Sequence, residues 1–495
     1  MVLTSAEMQA LEARAFADGV SAGNLLEEAG RKIAEAVQQF HPEPGSCLVY
    51  FGKGHNGGDA LVAARQLLRA GWEVELRAIF PEADWAELTK RQHQEFAAAA
   101  QRSSGCLAGR RSVSVILDGL LGIGSRGALH PQIRAATREI NQLRLHSNAR
   151  VFALDLPTGL NADTGAADPD AVLADYTLTI GCAKSGLLAD SAARYVGRLA
   201  VLPLAELTAR FGADHGPIVS TPAALAEILP RRHFDIHKGA CGRVGIIAGS
   251  PGLTGAAILC AEAAVHAGAG LVSLYVAPEI HTVVAARIIP DVMVRPISSF
   301  KEILSVERDV LALGPGLGRE RDGEVLEIIA SAPRPVIIDA DGLNALASDL
   351  AVLEHCAGPR LLTPHPGEMA RLQPDSSSTP RRELVEAFTT RFPVTLLLKG
   401  SRTIIGERGR ALSYNTTGSP GMATGGMGDA LTGVCAALSA QGLALYDAAR
   451  LGSWLCGRAA ECAIAARVCS EESLSAHHLI QHLGDAFREL RGGGY

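Results

Sequence analysis

The chain has 495 residues, 47% hydrophobic and 20% charged, long enough for two domains and apolar enough to bury a core in each. A net charge of −6, with Lys and Arg scattered, argues against a surface that grips a nucleic-acid backbone. Only 4% of residues are aromatic, and ten cysteines occur without a Cys-x-x-Cys pair, which removes zinc ribbons and thioredoxin-like motifs and favours α/β layers with reduced, buried thiols.

Thr4-x-x-Glu7 is a capping box at the head of an amphipathic helix, Ser5–Ala17. No basic start with an apolar run and no apolar segment of bilayer length occurs, so the expectation is a cytoplasmic protein without a membrane partner. A second helix is expected over Gly23–Phe40, and Pro42 and Pro44 end it before a buried strand, Cys47–Phe51. Gly52-Lys-Gly-His-Asn-Gly-Gly-Asp59 follows, then a helical run, Ala60–Ala70. This satisfies Gly-x-Gly-x-x-Gly, and Glu73 and Glu75 stand where a dinucleotide fold keeps its ribose-binding acid, so a nicotinamide dehydrogenase is one reading. Against it, Asp59 would repel a pyrophosphate at the helix start, and the loop is polar where that fingerprint wants small residues.

Strand Val113–Leu117 ends in Asp118 and a second glycine loop, Gly122-Ile-Gly-Ser-Arg-Gly127; strand Val151–Leu154 ends in Asp155-Leu-Pro-Thr-Gly159. In an open parallel sheet these ends share one edge, where ligands bind. Asn56, Asp118 and Thr158 offer amide, carboxylate and hydroxyl oxygens for a hard cation; each alone also suits a helix cap or an Asx turn.

The strand-like Leu199–Leu202 leads to a Gly- and Pro-containing linker, Arg210–Pro222, dividing the chain into domains at 1–212 and 220–495. In the second, Arg243–Ala248, Gly249-Ser-Pro-Gly-Leu-Thr-Gly255 and Ala256–Ala267 repeat the strand, glycine loop, helix order. Further strands are expected at Leu271–Val276, Val310–Leu313, Pro335–Ile338, Leu361–Leu362 and Val394–Leu398, giving a mainly parallel sheet between helices. No P-loop motif is present. Lys399, Ser401, Arg402 and Thr403 offer donors after a strand, as a solvated loop also could. His365, between Pro364 and Pro366, reads either as a structural residue or as a ligand contact at the strand-end edge.

Asn415–Gly433 carries six glycines in nineteen residues and runs into a helix expected from about Asp429. The reading as a tight turn with Asp429 as helix cap stands beside a chemical one. In the latter, Asp429 deprotonates a hydroxyl while the amides of Gly425–Gly428 hold a phosphoryl group.

The loops Gly52–Asp59, Asp118–Gly127 and Asp155–Gly165 resemble the NAD(P)H-hydrate epimerase family. The motifs HKG, GSPGLTGA, GPGLG, TPHPGE, LKGSRT and GMATGGMGDALTG resemble NAD(P)H-hydrate dehydratases of ribokinase-like fold. Together they cover nearly the whole chain in the order of the fused, bifunctional repair enzymes. The resemblance implies an α/β chain, a Rossmann-like three-layer domain followed by a ribokinase-like domain. The implied activity is epimerisation of the R and S hydrates NADHX and NADPHX, then dehydration of the S form at the expense of ADP, giving AMP and phosphate.

By the same resemblance His55, Asn56, Gly57, Gly58, Asp59, Gly122, Ile123, Gly124, Ser125, Arg126, Gly127, Ala128 and Asp155 line the epimerase site, and Asn56, Asp118 and Thr158 hold K+. Ala256, Gly316, His365 and Asp429 contact the hydrated dinucleotide, while Lys399, Gly400, Ser401, Arg402, Thr403 and Gly428 bind ADP, accompanied by Mg2+. Asp429 is the implied catalytic residue, and a homo-oligomer is expected. Three positions depart from the common pattern: His55 stands for Asn, Thr158 for Ser, and Met427 for Ala or Thr. A sugar or vitamin kinase, or a non-catalytic dinucleotide-binding first half, remain as other readings.

Overall fold

The structure is a computed structural model describing all residues except 103–111, 125–126, 212–215 and 375–378. The chain divides into two compact units, Met1–Thr221 together with Tyr495, and Pro222–Gly494. The α/β architecture expected for both halves is present.

In the first unit six parallel strands lie in the order Glu73–Ala78, Ser46–Phe51, Val113–Gly119, Arg150–Leu154, Tyr176–Ile180, Arg198–Leu202. Side chains alternate along a strand, so Cys47, Val49 and Phe51 pack on one face against Ile33, Val37 and Leu61, and Leu48 and Tyr50 on the other against Ile133 and Ile140. Both faces are buried, making three layers. The order reverses between Ser46–Phe51 and its neighbour Val113–Gly119, and a crevice opens beyond the strand ends at such a switch. Thr4 and Glu7 form the expected capping box.

Two expectations need correction here. The helix expected from Ala60 starts at His55 and runs to Arg69. Gly57 and Gly58 disguise that start, because Gly costs about 1 kcal/mol in a helix relative to Ala. They are required by packing: a Cβ at Gly57 would meet the Gly52 carbonyl oxygen at 2.1 Å, and one at Gly58 would meet Leu26 Cδ1 at 2.6 Å. Glu73 and Glu75, placed above as ribose-binding candidates, belong to the edge strand Glu73–Ala78, where Glu75 pairs with Arg77 at 3.0 Å.

In the second unit parallel strands run in the order Val292–Pro296, Leu271–Val276, Arg243–Ile247, Val310–Leu313, Val336–Ile338, Arg360–Leu362, Thr395–Leu398, and antiparallel Thr403–Glu407 and Ser413–Asn415 follow. The switch point lies between Arg243–Ile247 and Val310–Leu313. Helices Thr254–His266 and Met427–Ala440 approach each other closely through small residues; a Cβ at Gly433 would sit 2.0 Å from the Cys260 carbonyl oxygen. Among the described residues nine cysteines are free thiols, with Cys456 and Cys462 buried and Cys469 half-buried against the edge of the same core. No helix among the described residues is long and apolar enough to cross a membrane.

Candidate active sites

The first switch point gathers the polar loop residues of its unit. Asn56, in the first turn of helix His55–Arg69, donates from Nδ2 to the carbonyls of Leu121 (2.9 Å) and Leu154 (3.1 Å), and its Oδ1 is buried without a partner. Asp118 is fully buried at the end of its strand. Its Oδ1 accepts from Thr158 Oγ1 at 2.7 Å and its Oδ2 from Thr158 N at 2.8 Å, while Thr158 Oγ1 accepts from Leu121 N at 3.3 Å. Burial pushes Asp118 up to about 6 against these hydrogen bonds. An orphaned amide oxygen and a desolvated carboxylate are the donors a dehydrated monovalent cation wants, so these residues fit K+. Among the described residues no cluster of three His, Cys, Asp or Glu side chains is set for a metal.

Asp155 follows strand Arg150–Leu154 in the left-handed region, φ 67°. Its Oδ1 accepts from the Lys184 ammonium and from Ile180 N (3.2 Å). Lys184, 1% exposed, also reaches Thr179 Oγ1 and the Ile180 carbonyl, and its backbone is fixed where Ala183–Lys184 pairs with Val2–Leu3. Sequence reading missed Lys184; its signal was one charge inside an otherwise small and apolar run, Ile180–Ala183 before it and Gly186–Leu188 after. Asp59 is buried too, and burial first, then the charges of Asp155 and Glu12, hold it far above the ordinary carboxyl range, with Lys184 opposing.

Of the remaining expected contacts, His55, Gly124, Gly127 and Ala128 are exposed. Gly122 is half-buried beside Asn56 and Asp155, whereas Ile123 packs against the Met8–Leu11 core. Ser125 and Arg126 lie outside the described residues.

In the second unit Gly316 and Ala256 meet across the switch point. Gly316 has φ 60°, and a Cβ there would lie 3.0 Å from Ala256 Cβ and 2.9 Å from the Leu253 carbonyl oxygen. At the end of the next strand, Asp339 is buried with both oxygens occupied: Oδ1 takes the Lys399 ammonium at 2.8 Å and Oδ2 the Thr432 hydroxyl at 2.8 Å. Burial would raise Asp339, but Lys399 and the hydroxyls of Thr432 and Thr363 outweigh it and hold the carboxyl below its usual range. Glu368 Oε2 stands 3.8 Å from the same ammonium. Burial works against the charge on Lys399, and Asp339 and Glu368 overcome it.

The helix expected from Asp429 begins two residues earlier, at Met427, with Gly426 as its N-cap at φ 88° and no side-chain cap. Asp429 is therefore not a cap, and the helix's unpaired amides are those of Gly426, Met427, Gly428 and Asp429, shifted by one residue from the Gly425–Gly428 set. A Cβ at Gly428 would come within 3.1 Å of Lys399 Nζ, which brings that helix start against the lysine. Burial, then Asp339 with Lys399 opposing, then Glu368 and Asp341, push Asp429 up to about 6, a value suited to a general base near neutrality.

His365 takes the structural role as well as its place on the edge. It is the N-cap of Pro366–Leu372, Nδ1 accepting from Gly367 N (3.0 Å) and Glu368 N (3.3 Å), with its ring half-exposed. Lys399–Thr403 is the turn of a hairpin between Thr395–Leu398 and Thr403–Glu407; Ser401 is exposed, Gly400 lies beside Arg381, and the Arg402 side chain is buried. Asp339, Glu368 and Thr432 had no assigned role in the sequence reading, although the last two stand inside quoted motifs.

Two family models match the chain: one described as NAD(P)H-hydrate dehydratase over residues 244–483, the other as YjeF-related protein N-terminus over residues 22–186. A bifunctional NAD(P)H-hydrate repair enzyme of Moorella thermoacetica is 35% identical, the alignment covering 99% of this chain and 97% of that one. The enzyme of the same description from Escherichia coli is 34% identical over 90% of this chain and 85% of its own. A crystal structure of an ADP/ATP-dependent NAD(P)H-hydrate dehydratase from Bacillus subtilis is 26% identical, with a TM-score of 0.49, covering 56% of this chain and all of that one. With near full-length identity of this order and a matching model in each unit, the chain belongs to the family of bifunctional NAD(P)H-hydrate repair enzymes.

Proposed function

We propose that the first unit interconverts the R and S hydrates of NADH and NADPH, and that the second converts the S form back to the reduced dinucleotide at the expense of ADP, releasing AMP and phosphate. The observation that carries the reading is Asp429: a desolvated carboxylate in the first turn of a helix, beside unpaired amides and facing the Lys399 ammonium. Asp429 takes the proton of the ring hydroxyl, and the amides of Met427–Asp429 with Lys399 balance charge on the phosphoryl group in transfer. Phosphorylation turns hydroxide, a poor leaving group, into phosphate, and elimination restores the ring. Ala256 and Gly316 would leave room for the nicotinamide portion, and the Lys399–Thr403 turn would carry the adenine nucleotide. Asp339 is already occupied by Lys399 and Thr432, so Mg2+ would belong to the phosphates of the nucleotide.

In the first unit K+ would be held by Asn56, Asp118 and Thr158, supplying a fixed positive charge against the dinucleotide. Free thiols suit a reducing, cytoplasmic setting. The test is incubation of the whole chain with mixed NADH hydrates, with and without ADP or ATP, following each epimer. ADP-dependent recovery of NADH with exchange of the epimers supports the reading. A stable phosphorylated product would make the second unit a kinase, and an epimer ratio drifting at its uncatalysed rate would make the first a binding module. Asp118→Ala should slow use of the R form selectively; equal slowing of both forms would contradict its assignment.

A further inference from the structure

Hydration of an enamine places the hydroxyl on the carbon attached to nitrogen, so the two hydrates differ at a carbinolamine carbon. Its inversion can proceed by ring opening. A base removes the hydroxyl proton, the carbon–nitrogen bond breaks as the carbonyl forms, and the nitrogen keeps the electron pair and takes a proton from an acid. Rotation about the adjacent carbon–carbon bond presents the other face, and the reverse steps close the ring with no net change in protons or electrons. The site therefore needs a proton acceptor and a proton donor near one ligand.

Resting on the epimerase reading above, we propose that Asp155 and Asp59 are the proton-exchanging pair of the first unit, with Lys184 as the positioning residue that holds Asp155. Asp155 follows its strand in a left-handed conformation that a non-glycine residue holds only when its surroundings enforce it. Those surroundings are visible: its N–H donates to the Leu178 carbonyl at 2.8 Å, and Oδ1 is committed to Lys184 and Ile180 N. Oδ2 takes no hydrogen bond among the described residues and faces the second glycine loop, where a Cβ added at Gly122 would lie 3.8 Å from it and 3.5 Å from Asn56 Cβ. Gly122 thus keeps open the space between Asp155 and the first turn of helix His55–Arg69, and Asp59 follows that turn directly on the same helix, with Asp155 among the charges that act on it.

Asp59 is buried, its side chain forms no hydrogen bond among the described residues, and the charged groups facing it are Asp155, Glu12 and Lys184. One ammonium cannot balance three desolvated carboxyls, so protons stay in the cluster, and Glu12 is likewise raised by its burial. Burial and the neighbouring carboxylates keep the proton on Asp59, and Asp155 has the oxygen left open to a ligand.

The experiment uses the full chain and R-enriched NADH hydrate without ADP, with the epimers separated and quantified over time. Asp59→Asn and Asp155→Asn are each expected to lose roughly a hundredfold or more in kcat. ADP-dependent turnover of S hydrate by the same preparations reports on the second unit, and an unchanged cooperative thermal unfolding transition shows that the first unit is folded in each variant. Lys184→Met should lower kcat with KM within about twofold, and should move the alkaline limb of the pH profile upward, because removing an ammonium that favours the Asp59 carboxylate lets Asp59 keep its proton longer. Wild-type epimerisation by Asp59→Asn, or a slowed Lys184→Met with an unmoved limb, would overturn the proposal. Failure of the wild-type chain to epimerise overturns the reading beneath it as well.

Discussion

Each unit buries one lysine against an aspartate at the C-terminal end of a parallel strand, yet the two pairs serve opposite ends. In the first unit Lys184 occupies one oxygen of Asp155 and leaves the other open towards the switch-point crevice. In the second, Asp339 has no oxygen to spare, since Lys399 and Thr432 take both, and the carboxylate proposed to react is its neighbour Asp429, whose side chain has no hydrogen bond among the described residues. A buried ion pair alone therefore does not identify a catalytic acid or base. What identifies it is which atom of the cluster is left without a partner.

The largest effect expected from this contrast is at Asp429. Asp429→Asn should lower ADP-dependent recovery of NADH absorbance by about 10²–10⁴-fold, the range for loss of a positioned base, while epimerisation continues. Full dehydratase activity in that variant would return the residue to a structural role. Asp339 should behave as a prop. Asp339→Leu leaves the Lys399 ammonium without its partner, at a cost of about 3–5 kcal/mol in unfolding free energy, read by urea denaturation. The double variant Asp339→Leu/Lys399→Met should cost less than the single one, because the ammonium that lost its direct partner is removed with it. An undiminished stability in Asp339→Leu together with lost turnover would make Asp339 a chemical participant and erase the difference between the two pairs.

The third expectation concerns pH. A base raised to about 6 is protonated, and idle, below that value, so kcat/KM for the S hydrate should rise about tenfold per pH unit below about 6 and level off above it. Lys399 opposes the rise in Asp429, so Lys399→Met should move this limb to higher pH. A profile flat between pH 5 and 8 would remove Asp429 as the titrating base.

The glycine loops and strand ends were legible because their signals are local: apolar runs with period two, then Gly-rich turns at fixed offsets. Strand Tyr176–Ile180 was missed because polar residues, Thr177 and Thr179, occupy two of its buried positions. The edge strand Glu73–Ala78 was missed because exposed charges alternate with its apolar residues, reading as a polar connection. The positions left out of the sites are those defined by distance along the chain. Lys184 meets a residue 29 positions away, and Thr432 one 93 positions away, and no periodicity encodes such pairings. The start of helix His55–Arg69 was misplaced because tertiary packing overrode the unfavourable propensity of two glycines.

At the rim of the second site the contrast becomes finest, because His365 has a structural and a ligand-binding claim on the same ring. Nδ1 caps helix Pro366–Leu372, and the half-exposed Nε2 side, 3.5 Å from Glu368 Oε1, remains for a ligand. His365→Ala should lose about 1 kcal/mol of stability with the cap, whereas His365→Asn, whose side chain can also cap, should recover most of it. If Nε2 contacts the hydrated dinucleotide, both variants raise KM for the S hydrate to a similar extent although only one loses stability. A KM restored together with stability in His365→Asn would reduce His365 to a cap, leaving recognition on that side of the site to the backbone around it.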